Sequence, residues 1–294
     1  MSNTSPIARA DMDARSAFEK GNRNGGELVA TRGQWARQSR PSPQGLIVAQ
    51  GDAWFDCPGG DLLSAIEDLG YEVEGNAHSG LTLQDLSFNG RRLGDLHRLL
   101  NRLKSEGRTP KAIILSAGAD DFAGAEFAQL INHVASGLTT LDHALLEGLV
   151  QGRLKVALAH WIGSVDAVAR GTFGLPIRIL IHGYDYPVPD GRGQFVGPTA
   201  LGGPWLRSGF WLKGHTNLQR NRGVIRELIN RFNDMQLALV DELELPNLVH
   251  VDLRTTLSSM LYENDWDNET QPTEAGFRAL ARKIAAMIQE KTMR

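Results

Sequence analysis

The chain has 294 residues, of which 41% are hydrophobic and 22% charged, with a formal charge of -3. These values fit an ordinary soluble globular protein with a substantial core, and the slight acidity argues against a nucleic-acid partner or an acidic-membrane surface. The single cysteine, Cys57, excludes an intrachain disulfide framework and fits a reducing compartment. No apolar run approaches transmembrane length. The opening Met1-Ser2-Asn3-Thr4-Ser5-Pro6 leads into a polar stretch with no apolar segment. A signal peptide is therefore not expected, and a cytoplasmic location is the default.

Residues 1–44 are polar and rich in Ser, Gly, Asn and Arg, and end in Pro41-Ser42-Pro43-Gln44. They read as an arm ahead of one folded domain over residues 45–294. Within that domain, short aliphatic runs alternate with helical pattern. Strands are predicted at Leu46–Gln50, Tyr71–Gly75, Ala112–Ser116, Ile177–Ile181 and Leu248–Asp252. Helices are predicted at Asp61–Leu69, Arg92–Lys104, Ala125–Val134, Leu141–Ala169, Leu218–Leu243 and Thr273–Thr292. Five such βα units predict an α/β fold: a doubly wound, five-stranded parallel sheet flanked by helices. The stretch from His182 to His215 breaks the rhythm with Gly, Pro and aromatic residues. A loop of that length following a strand predicts an ordered lid over the C-terminal edge of the sheet.

Four segments carry the chemical signal. Gly51-Asp52-Ala53-Trp54-Phe55-Asp56 follows the first strand, and Ala77-His78-Ser79-Gly80 the second. Gly118-Ala119-Asp120-Asp121 follows the third, and Trp266-Asp267-Asn268-Glu269-Thr270-Gln271-Pro272-Thr273 precedes the last helix. With the lid stretch His182-Gly183-Tyr184-Asp185-Tyr186-Pro187-Val188-Pro189-Asp190-Gly191-Arg192-Gly193, they resemble the SGNH (GDSL-type) hydrolases over Leu46 to Ile288. The branch resembled has a GDSWFD opening, an HGYDYPVPDGRG lid and an NELHPT close. That resemblance implies a flavodoxin-like α/β fold and a family of ester hydrolases. It implies a serine nucleophile, Gly and Asn oxyanion donors and a histidine base.

Of these four groups only the glycine is present, as Gly80. Ala53 stands at the Ser position, Asp120 at the Asn position and Gln271 at the His position. Asn268 occupies the place where many members of the wider family carry an acid. Alanine has no atom to attack a carbonyl, and glutamine has no titratable group near neutrality. An ionised aspartate only accepts hydrogen bonds and would repel an oxyanion. The expectation is a pseudoenzyme that binds a small ester or carbohydrate-like ligand, or a protein partner. Its pocket is expected to draw on Asp52, Trp54, His78, Ser79, Asp121, His182, Tyr184 and Asp185.

Three alternatives stand beside it: an inactivated variant of an active enzyme, a structural scaffold, and an esterase with a relocated site. Relocation would use Ser79, Ser116 or Cys57, or a carboxylate cluster of Asp52, Asp120 and Asp121 that holds a hard cation or keeps one acid with a raised pKa. The plainer readings are that Asp52 and Asp121 brace their own loops, Cys57 is packing, and His182 and Asp185 brace the lid turns. No metal-ligand spacing, P-loop or dinucleotide glycine pattern is present, so no cofactor is expected.

Overall fold

The computed structural model describes residues 44–290 apart from 58–59, 78–79, 197–198 and 259. The predicted arm thus lies, but for Gln44, outside the described residues, as do His78 and Ser79. The aliphatic runs form β1 (Leu46–Gly51), β2 (Glu72–Ala77), β3 (Ala112–Ser116) and β4 (Arg178–His182). The lid contributes a small antiparallel hairpin of β5 (Gln194–Val196) and β6 (Thr199–Gly202), and β7 (Leu248–Val251) completes the main sheet. That sheet is parallel throughout, in the order β2-β1-β3-β4-β7. Every residue of β1 and β3 is buried, so helices cover both faces, as an all-parallel sheet requires. The chain leaves β1 toward β2 on one side and returns to β3 on the other. The crevice above β1 and β3 is therefore the topological switch point, where open α/β sheets place ligands.

The longer helices are α1 (Leu62–Asp68), α2 (Leu83–Phe88), α3 (Gly90–Ser105), α4 (Lys155–Phe173), α5 (Arg207–Leu212), α6 (Leu218–Leu243) and α7 (Glu274–Gln289), with single turns at Ala119–Phe122, His143–Glu147 and Tyr262–Asp265. Their starts follow capping chemistry. Asp61 accepts from the Ser64 amide at 2.7 Å, Thr82 and Asp85 form a capping box, and Thr273 accepts from the Gly276 amide at 3.1 Å. Helix α1 packs on α7, whereas α4 gathers α2, α3 and α6 around it.

Three expectations are corrected. The helix predicted over Ala125–Val134 is a 3-10 stretch, Gly124–Gln129. It stops because Ile131 pairs in an isolated antiparallel bridge with Leu141, burying both. Helix α2 was not anticipated, being too short to show a clear period. The long helix expected over Leu141–Ala169 runs on to Phe173 but passes through a π-helical segment at Gly148–Leu154. Gly148 and Gly152 weaken the regular ladder there, and the segment carries Arg153.

The lid is anchored from below by α6. A Cβ on Gly183 would lie 2.0 Å from Asn233 Oδ1, so only glycine fits. Asn233 Nδ2 donates to the carbonyls of Tyr184 at 3.2 Å and Ile229 at 2.9 Å. Gly118, at the end of the β3 loop, has φ +118° and meets Phe232 of the same helix. Helix α6 therefore sets the height of both the lid and the β3 loop.

Candidate functional site

At the switch point the chain leaves β1 through Asp52, which is fully buried. Its Oδ1 receives the Trp54 amide at 3.2 Å and the Ser116 hydroxyl at 2.9 Å. Its Oδ2 receives the Tyr184 hydroxyl, which itself accepts from the Ala119 amide at 3.1 Å. One carboxylate thus ties the ends of β1 and β3 to the lid. Burial pushes the Tyr184 hydroxyl well above the ordinary phenol range, and the neighbouring Asp52 adds to this. Trp54 lies T-shaped against Tyr184 and stacks on His182. Its indole N–H donates to the Thr270 carbonyl at 2.9 Å. The turn holding Ala53 therefore touches the loop holding Gln271.

That loop is closed on itself. Asn268 Oδ1 receives the amides of Thr270 and Gln271, each at 3.0 Å, and Asn268 Nδ2 donates to Gln271 Oε1 at 2.8 Å. Both side chains are buried. Between them sits Glu269, also fully buried, whose carboxylate receives the amides of Gly191 at 3.0 Å, Leu206 at 2.7 Å and Arg207 at 2.9 Å. Burial pushes the Glu269 carboxyl up, and these amides pull it back. Sequence reasoning assigned Glu269 nothing, yet it clamps both ends of the lid hairpin.

Two further carboxyls, Asp120 and Asp121, lie after β3, and the charge of Asp52 acts on Asp120. Asp121 receives the Leu83 amide at 2.7 Å and the Arg153 guanidinium at 2.6 Å. Asp120 receives the Gly80 amide, while its Oδ2 is buried without a partner. Burial, then the charges of Asp52 and Asp121, push Asp120 up to about 8. That direction favours the neutral acid. The shift runs in the direction of the raised-pKa acid that the cluster of Asp52, Asp120 and Asp121 could hold, and a neutral acid is a hydrogen-bond donor.

Beside these groups lies a narrow, almost wholly apolar cleft lined by Trp54, Ala119, Phe122, Tyr184, Leu228 and Trp266, among others. It measures about 440 Å³ including its open mouth, with only about 40 Å³ wide enough to centre a water. Of the residues expected in a pocket, Trp54 and Tyr184 line it. Asp52, Asp121, His182 and Asp185 do not, because each is buried beneath or beside it. Asp185 receives the amides of Tyr186, Thr255 and Leu257 and braces the lid on the loop after β7. His182 Nδ1 bonds the Gly183 carbonyl at 2.8 Å, and burial lowers its proton affinity. Burial pushes the Cys57 thiol up to about 12, so it is no nucleophile near neutrality. Among the described residues, no three His, Cys, Asp or Glu are grouped to hold a metal ion.

No family model and no curated protein matches the sequence. Among solved structures, the lipase Lip_vut3 from a goat rumen metagenome is similar, with a TM-score of 0.51 at 11% identity. The match covers 82% of this chain and 96% of the lipase. The periplasmic domain of a lipopolysaccharide acetyltransferase from Salmonella ser. Paratyphi A matches less closely, at 12% identity and a TM-score of 0.42. That match covers 83% of this chain and 84% of the domain. The strand order and the lipase match decide the architecture. The chain shares the lipase's α/β fold, a five-stranded parallel sheet flanked by helices.

Within this fold, Ala53 begins the turn after β1 and Gly80 follows β2. Asp120 sits in the single helical turn after β3, and Gln271 precedes α7. No described helix is long and apolar enough to cross a membrane.

The raised Asp120 carboxyl has a consequence for stability. Its folded-state value lies above its unfolded one, so between about pH 4 and about 8 the native chain keeps a proton that the unfolded chain has released. Stability then falls as pH rises through that window, by up to about 1.4 kcal/mol per unit. Asp120→Asn cannot titrate. It should gain on the parent across the window and hold a constant lead above it. Urea unfolding of both proteins over that range measures this; parallel curves would refute the assignment.

Proposed function

We propose that this chain is a non-catalytic protein of SGNH fold that binds a small ester-like ligand at the crevice above β1 and β3. The observation that carries this reading is that, among the described residues, the hydroxyls, thiol and amide near Ala53 are already engaged or inert. Ser116 is fully buried and donates to Asp52, as does the Tyr184 hydroxyl. Gln271 is bonded to Asn268, and Cys57 holds its proton. A nucleophile needs a base within hydrogen-bond reach and a free path to the carbonyl. The described residues around Ala53 offer neither, yet the apolar cleft persists beside them. Its small inner width suits a short acyl chain better than a sugar.

The test combines fluorophosphonate labelling, methyl butyrate turnover and calorimetric binding of the same ester. The expected result is binding without labelling or turnover. Stoichiometric label traced to Ser79 or Ser116 would replace this reading with a relocated esterase.

One observation favours a second reading, a partner-binding scaffold. Trp211 is 73% exposed and Leu212 68%, beside the exposed Val134, whose amide bonds the Lys213 carbonyl. Exposed aromatic and aliphatic groups in one place mark interaction surfaces. Ester binding that is unchanged in Trp211→Ala separates the two roles.

A further inference from the structure

The formal charge of -3 averages over a distribution that is segregated along the chain. Residues 191–226, from the lid into α6, carry Arg192, Arg207, Lys213, Arg220, Arg222 and Arg226 but no Asp or Glu. Residues 127–141 carry no acid either. The two stretches meet on one face. The Val134 amide donates to the Lys213 carbonyl at 2.8 Å, and His215 Nε2 lies 2.8 Å from the Asn132 carbonyl oxygen. Asn221, near the start of α6, donates to the His215 carbonyl at 3.2 Å. These bonds join the 3-10 turn at Val134–Ser136, the exit of α5 and the start of α6.

This face presents side chains of two kinds. Trp211, Leu212, Val134 and Leu138 are each more than half exposed, large apolar groups held in water at a cost. Arg207 and Arg220 are exposed on the same segments, and Lys213 directly follows Leu212. Lys213 and Arg220 form no ion pair among the described residues. The acids that flank the stretch are already matched, Asp190 with Arg192 and Glu227 with Arg231. Unmatched positive charge thus coincides with exposed tryptophan and leucine.

A second copy of this chain seated here would bring two cationic faces together, which Coulomb repulsion opposes. The basic groups are spread over α5, its exit loop and α6 rather than converging on one point. That spacing suits a field of many anionic headgroups better than a single acidic side chain. Tryptophan and lysine at the border of an apolar patch are the composition of an interfacial anchor. We propose that this face docks on an anionic lipid surface, with Trp211, Leu212 and Val134 entering the headgroup layer and Arg207, Lys213 and Arg220 meeting the lipid phosphates. Docking of this kind is independent of ligand binding in the cleft and gives the exposed face its partner. Leu206, immediately before α5, lines the cleft, so the docked face would hold the lid side of the cleft against the lipid.

Vesicle sedimentation of the full chain tests this, with vesicles of phosphatidylcholine alone and of phosphatidylcholine mixed with phosphatidylglycerol, whose surface is negative. The chain should bind the anionic vesicles at least about tenfold more strongly, and raising salt from about 0.05 to 0.5 M should erase the preference. Lys213→Gln with Arg220→Gln should weaken that binding about fivefold for each charge removed. Trp211→Ala with Leu212→Ala should weaken it about tenfold or more, and should abolish a blue shift of tryptophan emission that the parent shows on anionic vesicles. Thermal melts establish that these surface variants fold. Equal binding to neutral vesicles, or binding unmoved by both double variants, overturns the proposal. So does a folded chain that sediments with neither vesicle; a dimer lost in Trp211→Ala, read by sedimentation equilibrium, would then assign the face to a second copy. Methyl butyrate calorimetry on the same protein reports on the cleft alone, so the two readings fail separately.

Discussion

Glu269→Ala is expected to destabilise the protein by about 4 kcal/mol, and to loosen the lid before the sheet. The carboxylate receives the amides of Gly191, Leu206 and Arg207, and all of its surface is buried. Hydrogen bonds to a charged acceptor contribute about 1.5–3 kcal/mol each, and the amides left behind would be orphaned. Some water entry at the lid reduces the sum, which is why the expected loss lies below three full bonds. Glu269→Gln is not conservative here. Its NH₂ group would face amide N–H donors, so it should lose about 2 kcal/mol even though the shape is kept. Urea unfolding gives the stability. Hydrogen exchange at the amides of Gly191, Leu206 and Arg207 locates the loss, which should far exceed any change in β1 or β3. Unchanged exchange at those amides would show that Glu269 does not hold the lid.

The sheet was legible because its strands are short aliphatic runs flanked by turn formers. Leu46–Gly51 and Ala112–Ser116 are buried at every residue, and such runs can hardly be anything but central parallel strands. Helix α6 was equally plain, since its apolar period spans Leu218–Leu243. The motif order placed Ala53 after the first strand, Gly80 after the second, Asp120 after the third and Gln271 before the last helix, and the elements run in that order. What those residues do was less readable. The sequence places Asp120 beside Asp121 and near Asp52, which allows one raised-pKa acid among them but does not say which. Which one is pushed up depends on burial and on the donors Asp52 and Asp121 have taken, which is a property of packing. Glu269 sits in a polar loop and reads as solvated. Its role appears only when Gly191 and residues 206–207 arrive from elsewhere in the chain, leaving amides that need an acceptor. The π-helical segment that delivers Arg153 to Asp121 likewise has no clear sequence period, only Gly148 and Gly152.

Restoring ester hydrolysis should require four changes, and the fourth should matter most in rate. Ala53→Ser supplies a hydroxyl, Gln271→His an imidazole, and Asp120→Asn a donor that no longer titrates. Any one of these alone should do nothing measurable, because nucleophile and base act as a unit. The triple variant should still be poor, and the loop at Asn268 shows why. Asn268 Oδ1 is committed to the amides of Thr270 and Gln271, so Nδ2, a donor, faces residue 271. A donor beside the new imidazole would favour a ring nitrogen without its proton on that side, which leaves the wrong tautomer for taking a proton from serine. Asn268→Asp keeps one oxygen on the two amides and presents the other to the ring as an acceptor. A wrong tautomer costs on the order of 10⁴ in kcat in a serine triad, so the quadruple variant should exceed the triple by about 10²-fold or more. Methyl butyrate hydrolysis, with thermal melts confirming that each variant folds, measures the ratio. Equal rates for triple and quadruple would mean that the ring does not meet residue 268. A folded quadruple variant inert toward a panel of short esters would mean that the crevice no longer admits a carbonyl to Ala53, and the exposed Trp211 face would then carry the function.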